Sequence, residues 1–586
     1  MTARFTREAI PLGIIVAVVF ALLRGSLHSG LPAELRDVAS AGYLSKVAMI
    51  NEANSWYTQN WYLGFEIDRW YQPLTSFWIL FLGKVLGDDT LAFNVLSFSA
   101  YLSLAVGLYL WLRIEFSSVV AALLSSGLFL TTHVTIVTFQ GYYWQTPQLL
   151  GWALTPWAMI AFRSSLRNRS RSAPVVFGVL MGLIGLCNWV ALLEAMMLSV
   201  SYGVAIFVSR RSEAFHPEGL WRLTTSVLIM AAVTAWWLIP ALEHGLSPFF
   251  RTGLGTFDIS KILDFFGSAD WHDWYVVKIP SVRGLWTVAV CAIVVFRCLE
   301  GKRGVAETLA ISVIGISFFL MVELKSDLAG RLSLDVALGL AILSGDAYNW
   351  LRRSWSKAVY GGVALALVAI SALDDSAHVR VDREAYKTSP EYIEAELVSG
   401  SMEKGDRAYI MWSHRNRMSE WFNFFHPELS QVLGASDQTP VNPDVRRIDY
   451  LMKHASSRED AQELDLLLRK HSVTHLVVDS KETASVINQR YALSYEGNSV
   501  QVFKTGHQPR SEAVAKYSYW HGWRIAGVLV SLLLVFVSAG YYTWSEAEER
   551  LEEREINGLF NGIYFEPESE ERFEEEVEES YTLVSN

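Results

Sequence analysis

Residues 24–74 read RGSLHSGLPAELRDVASAGYLSKVAMINEANSWYTQNWYLGFEIDRWYQPL, between one hydrophobic segment and a long series of others. Three carboxylates stand out in this stretch, Asp37 and the pair Glu66 and Asp68. Around them lie Trp56, Tyr57, Trp61, Tyr62, Trp70 and Tyr71. Such amphipathic rings concentrate where hydrocarbon meets water. The stretch therefore reads as a loop lying on a membrane face, and the segments flanking it read as membrane helices.

Working outward, apolar segments fall near 9–24, 73–86, 91–112, 117–133, 147–163, 173–187, 189–208, 223–241, 282–297, 306–323, 331–349, 357–373 and 520–544. Many approach the roughly 20 residues needed to cross about 30 Å of hydrocarbon. With 51% hydrophobic residues and 22 tryptophans, the chain is an α-helical polytopic membrane protein of about 12–13 apolar helices. The basic start MTARFTR leads into an apolar core with no small-residue cleavage motif after it, so the first segment reads as a retained span.

Lysine and arginine in short loops set orientation. The basic loops 163–171, 210–222, 297–303 and 352–357 go to the cytoplasm, which puts 133–147, 244–280, 324–330 and 374–518 outside, and the basic start of the first span puts the first loop, 25–72, outside too. Parity between the first loop and the outer loop 133–147 then requires one of the three segments between them not to cross. Pro73–Leu86 is the shortest, and leaving it at the boundary gives twelve crossings. The expected organisation is a membrane domain over 1–373, an outer α/β domain over 374–518, a last span over 519–544 and a tail over 545–586. Strands are expected at RAYIMW (407–412), THLVVD (474–479) and SVQVFK (499–504), and a helix at Asp460–His471.

The net charge of −11 belongs to the tail. From Glu546 onward there are fifteen Glu and three Arg, which leaves 45 acids and 46 bases in the rest. That tail has too few apolar residues to fold alone, and the near-neutral body argues against nucleic acid as a partner. Cys187, Cys291 and Cys298 lie in or beside apolar segments, have no metal-ligand spacing, and read as small packing residues.

A carboxylate at a membrane face can take the proton of a sugar hydroxyl. Asp37 suits that role, though its spacing alone better suits the cap of a helix starting at Val38. Glu66 and Asp68 would share one side of an extended segment, as a hydroxyl or metal site requires, with Arg69 beside them. Arg331 opens an apolar segment at the outer face and suits bidentate phosphate binding or simple snorkelling. Asp335, one turn deeper, is placed to pair with it. Glu194 sits in another span with no partner evident in the sequence. The second outer loop adds Asp270, His272 and Lys278.

The passage NWYLGFEIDRWYQPLTSFWILFLGKVLG, together with GYYWQTPQLLGWALTPWAM, GRLSLDVALGLAILSG and LRKHSVTHLVVDS…SVQVFK, resembles GT-C-type membrane glycosyltransferases. The closest style is that of the YfhO-like and 6-pyruvoyl-tetrahydropterin-synthase-related membrane families. The resemblance implies inverting transfer of a sugar from a polyprenyl- or dolichyl-phosphate donor to a lipid- or protein-linked surface glycan on the outer face. Mannose is the first expectation for that sugar, and a divalent metal is optional. Asp37 matches the family's first-loop acid; Glu66 and Asp68 join it as catalytic candidates. Arg331, Arg69, Lys278, His272 and Asp270 are the substrate- and phosphate-binding candidates. The sequence has Arg36-Asp37 where Gly-Asp is usual and Tyr71-Gln72-Pro73 where a double proline is usual, and it lacks the oligosaccharyltransferase WWDYG signature. Two rival readings are a flippase of lipid-linked glycans and a non-catalytic glycan-assembly protein.

Overall fold

A computed structural model describes residues 2–23, 39–58, 72–132, 146–166, 172–209, 217–242, 304–323, 326–351, 390–411, 418–433, 443–478, 490–497, 500–509 and 525–534, with isolated positions such as 60, 61, 63, 65–67, 536 and 537. Two compact units are distinguished, 1–531 and 532–586; the described residues of the second are helical.

Helices Thr2–Leu23, Leu74–Leu86, Asp89–Phe116, Val119–Leu130, Thr146–Leu166, Ala173–Cys187, Trp189–Ser209, Pro217–Leu242, Val305–Glu323 and Ser326–Leu351 form a bundle. They follow the apolar segments read from the sequence; the segments near 282–297 and 357–373 lie outside the described residues. Among the described residues, Asp89–Phe116, Trp189–Ser209 and Trp221–Ile239 are long and apolar enough to cross a membrane.

The sense of burial identifies the surrounding medium. On Trp189–Ser209 the exposed residues include Met196, Val200, Val204 and Phe207, while Glu194, Ser199 and Ser201 are buried. Leu74–Leu86 does the same, exposing Phe77, Trp78, Phe81 and Val85 over a buried Thr75 and Ser76. Polar groups inside and large apolar groups outside suit a helix bundle bathed in lipid. Thirteen residues span only about 20 Å, so Leu74–Leu86 is too short for a straight crossing.

Local signals set the helix ends. Gly87 adopts φ 74° and donates its N–H to the Gly83 carbonyl at 2.7 Å, closing the short helix. Asp88 then caps the next, accepting from the Thr90 and Leu91 N–H groups at 2.8 and 3.0 Å. Within the bundle, small residues bring helices together. A Cβ on Gly182 would stand 2.6 Å from the Val233 Cβ, and one on Gly178 2.5 Å from the Ser226 carbonyl oxygen. These two glycines, four apart, let Ala173–Cys187 lie against Pro217–Leu242 at backbone distance.

Residues 390–505 build an α/β unit. Its sheet holds Arg407–Ile410, Ser430–Gln431, His475–Val478, Ala492–Glu496 and Gln501–Lys504. Arg407–Ile410 is parallel to both Ser430–Gln431 and His475–Val478. Gln501–Lys504 runs antiparallel to His475–Val478 on one side and to Ala492–Glu496 on the other. The three strands and the helix expected from the sequence are present, the helix as Arg458–Lys470 with a capping box between Ser457 and Asp460. Ala492–Glu496 had no sequence signal because it is an edge strand whose residues are nearly all exposed, so it carries no apolar alternation.

Candidate functional site: a first loop clamped to the α/β unit

After the first helix, Ala39–Ala53 leads into two short strands, Tyr57–Thr58 and Phe65–Glu66, paired antiparallel with Tyr57 opposite Glu66. The Ile67 N–H bonds the Trp56 carbonyl at 2.7 Å and closes the turn. The tip of this hairpin is fastened to the α/β unit. Asn60 donates from Nδ2 to the Pro427 carbonyl at 2.7 Å and accepts on Oδ1 from Ser430 Oγ at 3.0 Å. Its own carbonyl takes the Gln431 N–H at 2.7 Å, so Asn60 caps the edge strand Ser430–Gln431.

Trp61 is the anchor. Its ring is fully buried and its Nε1–H donates to Asn423 Oδ1 at 2.7 Å. Asn423 Oδ1 also accepts from Gln431 Nε2, and Asn423 Nδ2 donates to the Leu429 carbonyl at 2.8 Å. Met49, Ile50, Trp61 and Ile67 share one hydrophobic core with Tyr409, Val432, Ile448, Leu468 and Phe503. Helix Met418–Phe425 lies against Ala39–Ala53. The loop is therefore part of the α/β unit's own core. On the bundle side, Trp56 packs on Phe77 with ring centroids 4.5 Å apart, and Asn51 Nδ2 donates to Asp89 Oδ2 at 3.3 Å.

Of the residues expected to act, Glu66 lies on the second hairpin strand and Arg331 is the sixth residue of Ser326–Leu351. Asp37, Asp68, Arg69, Asp270, His272 and Lys278 lie outside the described residues. Helix Ala39–Ala53 starts two residues beyond Asp37.

Inside the bundle, the sequence singled out Glu194 and Asp335 but not their neighbours, and it gave no sign of a second polar grouping. Glu194, without an evident partner there, accepts from Gln148 Nε2 at 2.8 Å and from Trp152 Nε1 at 2.7 Å. Asp335 is fully buried, and neither of its carboxylate oxygens has a hydrogen-bond partner among the described residues. At a second level, Glu115 pairs with Arg163 at 3.2 Å and accepts from the Tyr202 hydroxyl. Cys187 is buried and free, as its apolar setting suggested.

The α/β unit holds its charges differently. Asp444 takes Lys470 Nζ at 2.6 Å and His471 Nε2 at 2.7 Å. Those bonds, Lys470 first, hold its carboxyl below the usual range. Burial pushes His471, His475 and His507 down from the usual imidazole value, against the opposing pull of Asp444, Asp406 and Asp465 respectively.

Residues 69–252 match the family model described as "6-pyruvoyl-tetrahydropterin synthase related domain; membrane protein". No curated protein matches the chain by sequence. Solved structures share the fold. The arabinofuranosyltransferase AftD from Mycobacteria is 15% identical with TM-score 0.55 over 86% of this chain, which spans 40% of that enzyme's length. ArnT from Cupriavidus metallidurans, bound to undecaprenyl phosphate, is 14% identical with TM-score 0.52, covering 86% of this chain and 100% of that one. The oligosaccharyltransferase AglB from Archaeoglobus fulgidus, in complex with an inhibitory peptide and a dolichol-phosphate, is 12% identical with TM-score 0.52 over 81% and 70% of the two chains. The chain is a multi-pass membrane protein with the GT-C fold.

Proposed function

We propose that this chain, a GT-C-fold membrane protein with a 6-pyruvoyl-tetrahydropterin-synthase-related segment, is a glycosyltransferase that uses a polyprenyl- or dolichyl-phosphate sugar. The supporting observation is the clamp: the loop after the first helix is held by Asn60 and Trp61 against the α/β unit. In this reading the α/β unit, to which the first loop is tied, takes the acceptor glycan. The folds of ArnT and AglB, whose structures hold polyprenyl and dolichol phosphates, support a lipid-borne donor.

In this reading Asp37 is the base. The acceptor hydroxyl gives its proton to the Asp37 carboxylate while its oxygen bonds to the anomeric carbon. The bond from that carbon to the phosphate oxygen breaks on the opposite face, the configuration inverts, and the lipid phosphate leaves with the electron pair. Arg331, with Arg69 or Lys278, receives the growing charge on the phosphate. Glu66, Asp68, Asp270 and His272 are left to orient hydroxyls of donor and acceptor. A monophosphate leaving group makes a divalent metal optional. Mannose remains the first sugar to try, and a lipid- or protein-linked surface glycan the first acceptor, on the outer membrane face.

The test uses the full chain in native membranes with a radiolabelled polyprenyl-phosphate sugar. Asp37→Asn should lower transfer by at least about 100-fold at unchanged expression and melting temperature. Full turnover in that variant sinks the base assignment. Deleting the gene should shorten a surface glycan by one sugar and let the charged lipid donor accumulate. A full-length glycan accumulating on the inner leaflet would instead favour flipping, the reading to which Glu194 and Asp335 inside the bundle lend support.

A further inference from the structure

The α/β unit carries a cluster in which the cations outnumber the acid they surround. Asp465 lies on Arg458–Lys470, its side chain mostly covered. Arg469, one turn on along that helix, brings Nη2 to 3.3 Å from Asp465 Oδ2. Arg490 brings its own Nη2 to 3.2 Å from the same oxygen. The Tyr491 hydroxyl donates to Oδ1 at 3.3 Å, and His507 Nε2 stands 3.5 Å from it. The turn before His507 is pinned: Gly506 takes φ 75°, the Thr505 N–H bonds the Thr474 carbonyl at 3.0 Å, and Thr505 Oγ1 donates to the Val473 carbonyl at 2.6 Å. One carboxylate therefore answers two guanidiniums, and a full positive charge is left over even with the imidazole neutral. Each guanidinium has five N–H donors. Among the described residues Arg469 spends them on Asp465, and Arg490 on Asp465 and Tyr491. Arg469 is 73% exposed and Arg490 35%, so the unspent donors are open to solvent.

Exposed ion pairs add little stability, and a second guanidinium on one oxygen brings repulsion with it. An anion from outside would relieve that repulsion. The helix offers more than charge at this point. Gln462, Asp465, Leu466 and Arg469 recur at i, i+3, i+4 and i+7, so they share one face, and Gln462, Leu466 and Arg469 are exposed on it. An amide, an aliphatic chain and a guanidinium side by side suit a ligand with hydroxyls, an apolar ring face and an anionic group. We propose that the acceptor is an acidic glycan, whose carboxylate or phosphate is bound by Arg469 and Arg490 while Gln462 and Leu466 lie against its sugar ring. The proposal rests on the reading in which the α/β unit holds the acceptor. Guanidinium groups hold such anions by paired, directional hydrogen bonds. A sheet of anionic lipid headgroups is the poorer fit, because it calls for a run of basic residues. Here the surplus is a single charge, and Glu459, Asp460 and Glu463 lie on the same helix.

The experiment uses the full chain in phosphatidylcholine nanodiscs, titrated by calorimetry at low ionic strength. The probes are trigalacturonate, neutral galactotriose, inorganic phosphate and glycerophosphoglycerol, a soluble lipid headgroup. Trigalacturonate should bind, more weakly as salt is raised, and galactotriose should not. Arg469→Gln and Arg490→Gln should each weaken trigalacturonate by about tenfold. The melting temperature should hold in both, since both side chains reach solvent. The proposal is overturned if trigalacturonate fails to bind or if both arginine variants bind it like the wild type. It is overturned equally if galactotriose, phosphate or the lipid headgroup binds as tightly. Binding needs no donor sugar, so Asp37→Asn should retain it. A chain that binds the acidic trisaccharide through these arginines and transfers nothing keeps this site and loses the transferase reading. One that transfers sugar through Asp37 but ignores acidic glycans does the reverse.

Discussion

The bundle and the α/β unit treat the same residue types in opposite ways. In the α/β unit, two half-buried acids are answered by bases: Asp444 by Lys470 and His471, Asp465 by Arg469 and Arg490. In the bundle, alongside the Glu115–Arg163 pair, two acids are buried with neutral neighbours, Glu194 bonded by an amide and an indole and Asp335 with no hydrogen-bond partner among the described residues. The difference follows from the medium. Water solvates a charged side chain for nothing, so an exposed pair adds little stability. Lipid cannot, so a bundle turns its polar groups inward and each must find a partner there. A carboxylate on a helix thus carries different information according to whether the opposite face is apolar or charged.

The joint between the regions is where the contrast can be broken most sharply. Trp61→Ala removes a fully buried ring from a core shared by loop and α/β unit and leaves Asn423 without its indole donor. The expected cost is about 4 kcal/mol, seen as a lower melting temperature and as faster protease cleavage between 411 and 433. If the hairpin merely rests on the unit, both readouts will stay put.

Next in size is a change inside the bundle. Gly182→Leu drives a side chain into Val233, whose Cβ would stand 2.6 Å from even a single added carbon. About 3 kcal/mol of destabilisation is expected, with reduced yield of folded protein from membranes. An unchanged yield and melting temperature would show that the two helices part easily.

The α/β unit predicts smaller effects of the soluble kind. Ser457→Ala removes the side-chain half of the capping box on Arg458–Lys470 and should cost about 1 kcal/mol, measured by thermal unfolding of the full chain. Acidification tests the histidines. Burial lowers His471, His475 and His507 in the folded state, so below the ordinary imidazole value of 6.5 the unfolded chain binds the extra protons. Stability therefore falls as pH drops through 6.5 towards the folded values. Asp444, held below its ordinary 3.8, adds a further loss only in stronger acid. A melting temperature flat from pH 7 to 5 would contradict the burial of these imidazoles.

Much of this was legible in advance because the signals are local. Helix ends near 86–89 follow from Leu-Gly-Asp-Asp, where Gly87 takes the left-handed turn and Asp88 the cap. The strand His475–Val478 announces itself as an apolar run, and all four of its residues are buried. Other features had no such signature. Asn60 and Trp61 look like any polar–aromatic pair at a boundary, and their partners lie more than 360 residues away. Of the proposed acting residues, spacing could nominate Glu66 and Arg331 but could not say what lies opposite them.

Read alone, the chain determines that it lives in a membrane, where its helices run, and that an α/β unit interrupts them. Hydrophobic length and period are properties of neighbouring residues, and solvent acts on them directly. What faces what was decided only on folding: Trp61 on Asn423, Gln148 and Trp152 on Glu194, Gly182 on Val233. Those contacts join residues tens to hundreds of positions apart. Only the packed backbone, which sets the separation and direction of each pair, can choose between partners that composition leaves equivalent.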